Sequence, residues 1–136
     1  MADVLIIDDD IDSADVLADI MRASGHEVRI GYNGHEGLEL AKQRRPDLAL
    51  LDVEMPILGG ADMAYEMLLH DMGLEDVPVV FLSGVPNLKE IAAGVGTPYF
   101  LAKPYRYAAI VALAERALLE RIAPHHPGRQ AVPRNS

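Results

Sequence analysis

Val4-Leu5-Ile6-Ile7-Asp8-Asp9-Asp10 sets a short, unbroken apolar run directly against three acids. A run of branched residues without polar alternation is the signature of a strand covered on both faces, because neither face meets water. Similar runs follow at Leu48-Ala49-Leu50-Leu51, Val79-Val80-Phe81-Leu82 and Tyr99-Phe100-Leu101-Ala102. A weaker stretch, Val28-Arg29-Ile30, alternates and reads as an edge strand. Between these lie stripes at helical spacing: Ala14, Val16, Leu17, Ile20 and Met21; Leu38, Leu40 and Ala41; Met63, Met67 and Leu68; and Ile110, Leu113, Ala114, Ala117 and Leu118. Strand and helix alternate along the chain, which predicts an α/β fold with a parallel sheet and helices on both faces.

Punctuation agrees with this order. Gly25, Gly34, Gly59-Gly60, Gly73, Gly94 and Gly96 fall at the joints, and Pro46 and Pro78 each open a strand. From Ala123 onward the chain has three prolines and no apolar period, so the expectation is one folded domain over 1–122 and a disordered tail over 123–136. The 136 residues, half of them hydrophobic, suffice for one core and leave no room for an output domain. Twelve Lys and Arg against 21 Asp and Glu give a net charge of −9. The tail carries Arg129 and Arg134 but no acid, so the folded body holds about −11. That balance argues against direct contact with nucleic acid or an anionic membrane, which both select basic surfaces. With no Cys, no basic leader and no long apolar stretch, the chain reads as soluble and cytoplasmic.

In a parallel α/β sheet, ligands bind beyond the carboxyl ends of the strands. Those ends carry Asp8-Asp9-Asp10, Asp52, Ser83 and Lys103-Pro104. Clustered carboxylates repel one another and resist ionising unless a hard divalent cation sits among them, and magnesium suits oxygen ligands and phosphate. Taken singly the residues say little: Asp10 and Asp12 suit the start of a helix, and an Asp after a strand is often a turn residue. Together they place acids, a hydroxyl and an ammonium on one edge.

These motifs, LIIDDD at 5–10, LLDVEMP at 50–56, FLSG at 81–84 and FLAKPY at 100–105, resemble in order and spacing the receiver (CheY-like) domain of two-component response regulators. The resemblance runs from residue 3 to about 122. It implies a flavodoxin-like (βα)5 fold with strand order 2-1-3-4-5, and Asp52 as phosphoacceptor, taking a phosphoryl group from a phosphohistidine. It further implies that Asp9 and Asp52 bind Mg²⁺ directly, Asp8 through water, and Glu54 through its backbone carbonyl. Lys103 and Ser83 would contact the phosphoryl oxygens, with the Gly84 amide assisting, and the Lys103–Pro104 peptide would be cis. Phe100, three residues before the Lys, takes the place of the aromatic switch residue that responds to Ser83. Tyr99 would alternate to the other face as packing or surface.

The implied protein is a switch and not an enzyme with turnover: a stand-alone receiver, monomeric or dimerising on phosphorylation. Its partners would be a sensor histidine kinase or histidine phosphotransfer protein and a downstream protein target. The alternatives are a non-phosphorylated pseudo-receiver and a Mg²⁺-dependent aspartyl phosphatase. The phosphatase pattern puts its nucleophile after the first strand, whereas here Asp52 follows the third. The stretch 83–96 is about two residues short for the family, and with Pro86 and Gly94 it predicts a short or irregular helix. Glu54 and Val85 stand where the family tunes phosphoryl hydrolysis. Met55, Met63, Met67 and Met72 read as core, His125-His126 as tail, and His26, His35 and His70 as isolated surface residues.

Overall fold

Each apolar run forms a strand, and Asp8, Asp52, Ser83 and Lys103 stand where four of the strands stop. A computed structural model of the chain describes residues 1–52 and 77–123. Glu54, the methionines from Met55 to Met72, His70, the stripe at 63–68 and the tail from residue 124 lie outside the described residues. The strands are β1 (Asp3–Ile7), β2 (Glu27–Gly31), β3 (Leu48–Asp52), β4 (Val79–Ser83) and β5 (Tyr99–Ala102). All neighbours pair in parallel, in the order β2-β1-β3-β4-β5. The weakly alternating run is an edge strand, β2, and β5 forms the other edge.

The helices among the described residues are α1 (Ile11–Ala23), α2 (Gly34–Gln43), α3 (Leu88–Val95) and α4 (Tyr107–Glu120). One face of the sheet, with Leu5, Ile7, Leu51 and Phe81, buries Ala41 of α2 and Leu88 and Ala92 of α3. The other, with Val4, Ile6, Leu50 and Leu82, buries Leu17 and Met21 of α1 and Ile110 and Ala114 of α4. This double coverage is why the central strands have no polar alternation. A Leu or Ile buried so completely contributes about 1.5–3 kcal/mol.

Asp10 caps α1, its Oδ1 accepting the amides of Asp12 at 3.1 Å and Ser13 at 3.4 Å, and Asp12 lies in the first turn where the helix dipole favours acid. The buried stripe of α1 differs from expectation: Ala18 is buried and Val16 is 43% exposed. From Ala14 the 3.6-residue period returns to the core at 17, 18 and 21, and carries position 16 to the opposite side. Asn33 caps α2 through the Glu36 amide at 2.9 Å, while Glu36 Oε1 accepts the Tyr32 amide at 2.8 Å. Where β2 meets α2, a Cβ on Gly31 would lie 2.8 Å from the Gly37 nitrogen, so no side chain fits there. Helix α3 has only eight residues, as its sequence predicts, and closes at Gly96 with φ +94.

His26 does not stand alone. Its Nδ1 accepts the Ala2 amide at 3.1 Å, which leaves the proton on Nε2, facing Glu115 Oε1 at 2.8 Å. The chain start is thereby joined to α4.

Candidate functional site

Order 2-1-3-4-5 reverses winding between β1 and β3, and the crevice at such a reversal is where an open α/β sheet binds ligands. The pairing Ile7↔Leu51 brings the ends of β1 and β3 level, and Asp52↔Leu82 and Ser83↔Ala102 extend the row to β4 and β5. Asp8, Asp52, Ser83 and Lys103 therefore meet on one edge, as the sequence predicts. Asp8 is held by its amide, which donates to Gly31 O at 3.1 Å, and by its Oδ1, which accepts the Asp10 amide at 3.0 Å. Asp8, Asp52 and Ser83 are buried, and Asp9 is exposed. One carboxylate oxygen each from Asp8, Asp9 and Asp52 fall within 4.8 Å of one another.

Lys103 supplies the positive charge. Its Nζ donates to Asp52 Oδ2 at 2.9 Å and lies 3.9 Å from Asp8 Oδ2. Its amide donates to Ser83 O at 2.9 Å, extending the β4–β5 ladder by one residue. The Lys103–Pro104 peptide is cis. Burial alone would lower the Lys103 ammonium, but the hydrogen bond to Asp52 and the charges of Asp52 and Asp8 raise it above its ordinary value. The Asp8 carboxyl is pushed up to about 6, by burial first and then by the Asp52 charge, against the pull of the Asp10 amide. Among the described residues, three carboxylates gather here with one ammonium, that of Lys103. The all-oxygen donor set fits a hard divalent cation.

Ser83 Oγ accepts the Val85 amide at 3.1 Å, which leaves the hydroxyl proton available to a ligand oxygen. Phe100 is 37% exposed, turned away from the core that swallows its neighbour Tyr99. Asp10 does not join the cluster, since its carboxylate is occupied in the α1 cap. Beside Lys103 opens an apolar hollow of about 590 Å³, lined by Asp12, Ser13, Val16, Pro104, Tyr105 and Tyr107. Sequence reasoning missed it; exposed Val16 and Tyr107 are its signal, visible only once the phase of α1 is known.

The acidic crevice, the buried hydroxyl and the lysine after the last strand meet at the winding reversal of a doubly wound α/β fold. The chain belongs to the response regulator receiver domain family, whose model matches residues 4–115. It is 38% identical over 123 residues to the transcriptional regulatory protein PrrA of Mycobacterium tuberculosis, covering 87% of this chain and 50% of PrrA. The chain thus spans about half the length of the curated relatives it matches. Among solved structures it resembles a putative response regulator from Chloroflexus aurantiacus, with TM-score 0.81, 28% identity, and coverage of 87% of this chain and 98% of that one. It also resembles the chemotaxis protein CheY4 of Vibrio cholerae, with TM-score 0.78, 26% identity, and coverage of 85% and 98%. No helix among the described residues is long and apolar enough to cross a membrane.

Proposed function

We propose that the chain is a phosphoacceptor switch in which Asp52 takes a phosphoryl group from the phosphohistidine of a sensor kinase or phosphotransfer protein. The observation that carries this reading is the 2.9 Å contact between Lys103 Nζ and Asp52 Oδ2, beside buried Asp8 and Ser83. An oxygen of Asp52 attacks phosphorus, the phosphorus–nitrogen bond breaks, and its electron pair returns to the imidazole nitrogen. The product is an acyl phosphate on Asp52. Asp8, Asp9 and Asp52, with the backbone carbonyl of Glu54, would hold Mg²⁺, which when bound supplies charge neutralisation for the phosphoryl oxygens. Lys103 moves from Asp52 Oδ2 to a phosphoryl oxygen, and the Ser83 hydroxyl donates to another. The drawn-in Ser83 frees space that Phe100, half outside in this state, turns to fill. The apolar hollow beside Lys103 gives the donor a place to rest its own apolar surface.

The reaction is stoichiometric, so the protein acts as a switch and not as a turnover enzyme. It works in the cytoplasm and signals by contact with a protein target. The charge of −9 argues against direct contact of this chain with nucleic acid. Incubation with acetyl phosphate and Mg²⁺ should add one phosphoryl group by intact mass. Asp52→Asn should lower labelling at least a hundredfold while the circular dichroism stays unchanged. Labelling that persists in a folded Asp52→Asn variant refutes the assignment.

A further inference from the structure

Tyr99 opens β5 with its side chain wholly buried, and its phenol donates to Glu120 Oε1 at 2.9 Å. Arg116 Nε donates to the same oxygen at 3.3 Å, and the Arg116 guanidinium carbon stands 5.4 Å from the centre of the Tyr99 ring. Burial, and then the hydrogen bond to Glu120, raise the Tyr99 phenol, so it remains a donor. Glu120 is the last residue of α4, and Arg121 follows with φ +56 as the chain leaves the helix. At the opposite end, β5 runs through Lys103 into α4 at Tyr107. Strand and helix are therefore joined twice, by the chain at the acidic edge and by the Tyr99 clasp at the far end.

This closed unit sits at the sheet edge, where, among the described strands, β5 is hydrogen-bonded to β4 alone. Adjacent strand side chains leave opposite faces, so a turn of β5 that swings Phe100 inward swings Tyr99 the other way. Lys103 stands four residues from Tyr99, about 13 Å along an extended strand. We propose that the Tyr99–Glu120–Arg116 clasp makes β5 and α4 one lever, carrying a change at Lys103 and Asp52 to residues 118–122. The inference rests on the phosphoacceptor reading and goes beyond it, since Tyr99 and Glu120 touch no reacting group and act as positioning residues. Packed and hydrogen-bonded groups with two arrangements can carry coupling between sites, and the clasp extends such a connection from β5 to the end of α4.

The test is amide spectroscopy of the full chain with Mg²⁺ and beryllofluoride, a phosphoryl mimic. In the wild type, amides at Ser83 and Phe100 and at 118–122 should shift along one binding isotherm. In Tyr99→Phe the Ser83 and Phe100 shifts should persist while those at 118–122 fall at least threefold. Glu120→Gln keeps an oxygen for the phenol and should retain more than half of the helix-end shift, which a merely structural role for Glu120 does not require. Undiminished helix-end shifts in Tyr99→Phe overturn the lever, as does a silent helix end in a wild type whose Ser83 responds. Silence at Ser83 and Phe100 in the wild type overturns the phosphoacceptor reading and the lever with it.

Discussion

The two ends of the sheet both gather charge, and they settle it differently. At the amino end, Asp3 accepts from Arg29 Nε at 3.2 Å, Arg29 Nη2 at 3.1 Å and Arg44 Nε at 2.7 Å. Arg29 also donates to the carbonyls of Leu40 at 2.6 Å and Arg44 at 2.8 Å, fastening the last turn of α2 under the sheet. Asp47 Oδ2 accepts the Asp3 amide at 2.8 Å. At the carboxyl end, among the described residues, Asp8 and Asp52 share Lys103 beside Asp9, and burial pushes the Asp8 carboxyl up to about 6. Charge balanced within the chain is architecture. Among the described residues the acidic crevice holds more negative than positive charge, which disfavours the fold until something positive arrives, and the proposed phosphoacceptor site is where that penalty has a use.

Arg29→Ala should break the balanced end most severely. It leaves Asp3 and two carbonyls short of donors at a site only 17% exposed on the arginine side, and should cost about 2–3 kcal/mol by urea unfolding. Acetyl-phosphate labelling of Asp52 should be unaffected at temperatures where the variant is folded. At the other end the sign reverses. The folded-state value of Asp8 lies above its ordinary 3.8, so the metal-free protein loses stability as pH rises from about 4 to about 6. Asp8→Asn, which keeps the acceptor for the Asp10 amide, should stabilise the metal-free protein by about 2 kcal/mol at pH 7 and by almost nothing at pH 4. The same variant should lose the stabilisation that added Mg²⁺ gives the wild type, read as a vanished Tm shift. Arg44→Ala should have the smallest effect, under about 1 kcal/mol, because its side chain is 58% exposed and Arg29 stays on Asp3. A cost equal to that of Arg29→Ala would show that the network acts as one unit.

The acidic end was legible in the chain because its residues follow directly on apolar runs, so placing the strands places the site. Strand order came from the family resemblance, and the register Ile7↔Leu51 agrees with it. The amino end was not legible. Asp3 finds Arg29 and Arg44 across 26 and 41 residues, and no local pattern records such a pairing. His26 looked solitary for the same reason, its partner Glu115 lying 89 residues on. Tyr99 was correctly sent to the face opposite Phe100, but its hydroxyl partner required α4 to be in place. Val16 went astray on helical phase, since a short stripe fits two phases until the sheet selects one.

The contact between Gly31 and Gly37 has a consequence for anyone scanning this protein by mutation. A library screened for loss of the proposed phosphorylation will score position 31 as harshly as position 52, although Gly31 lies outside the acidic cluster. Any side chain there lifts β2 off α2, and because Gly31 O receives the Asp8 amide, the displacement reaches the acidic crevice through a single bond. Hits at the two positions separate by growth temperature: defects at position 31 should ease in the cold, where marginal folds survive, and defects at position 52 should not.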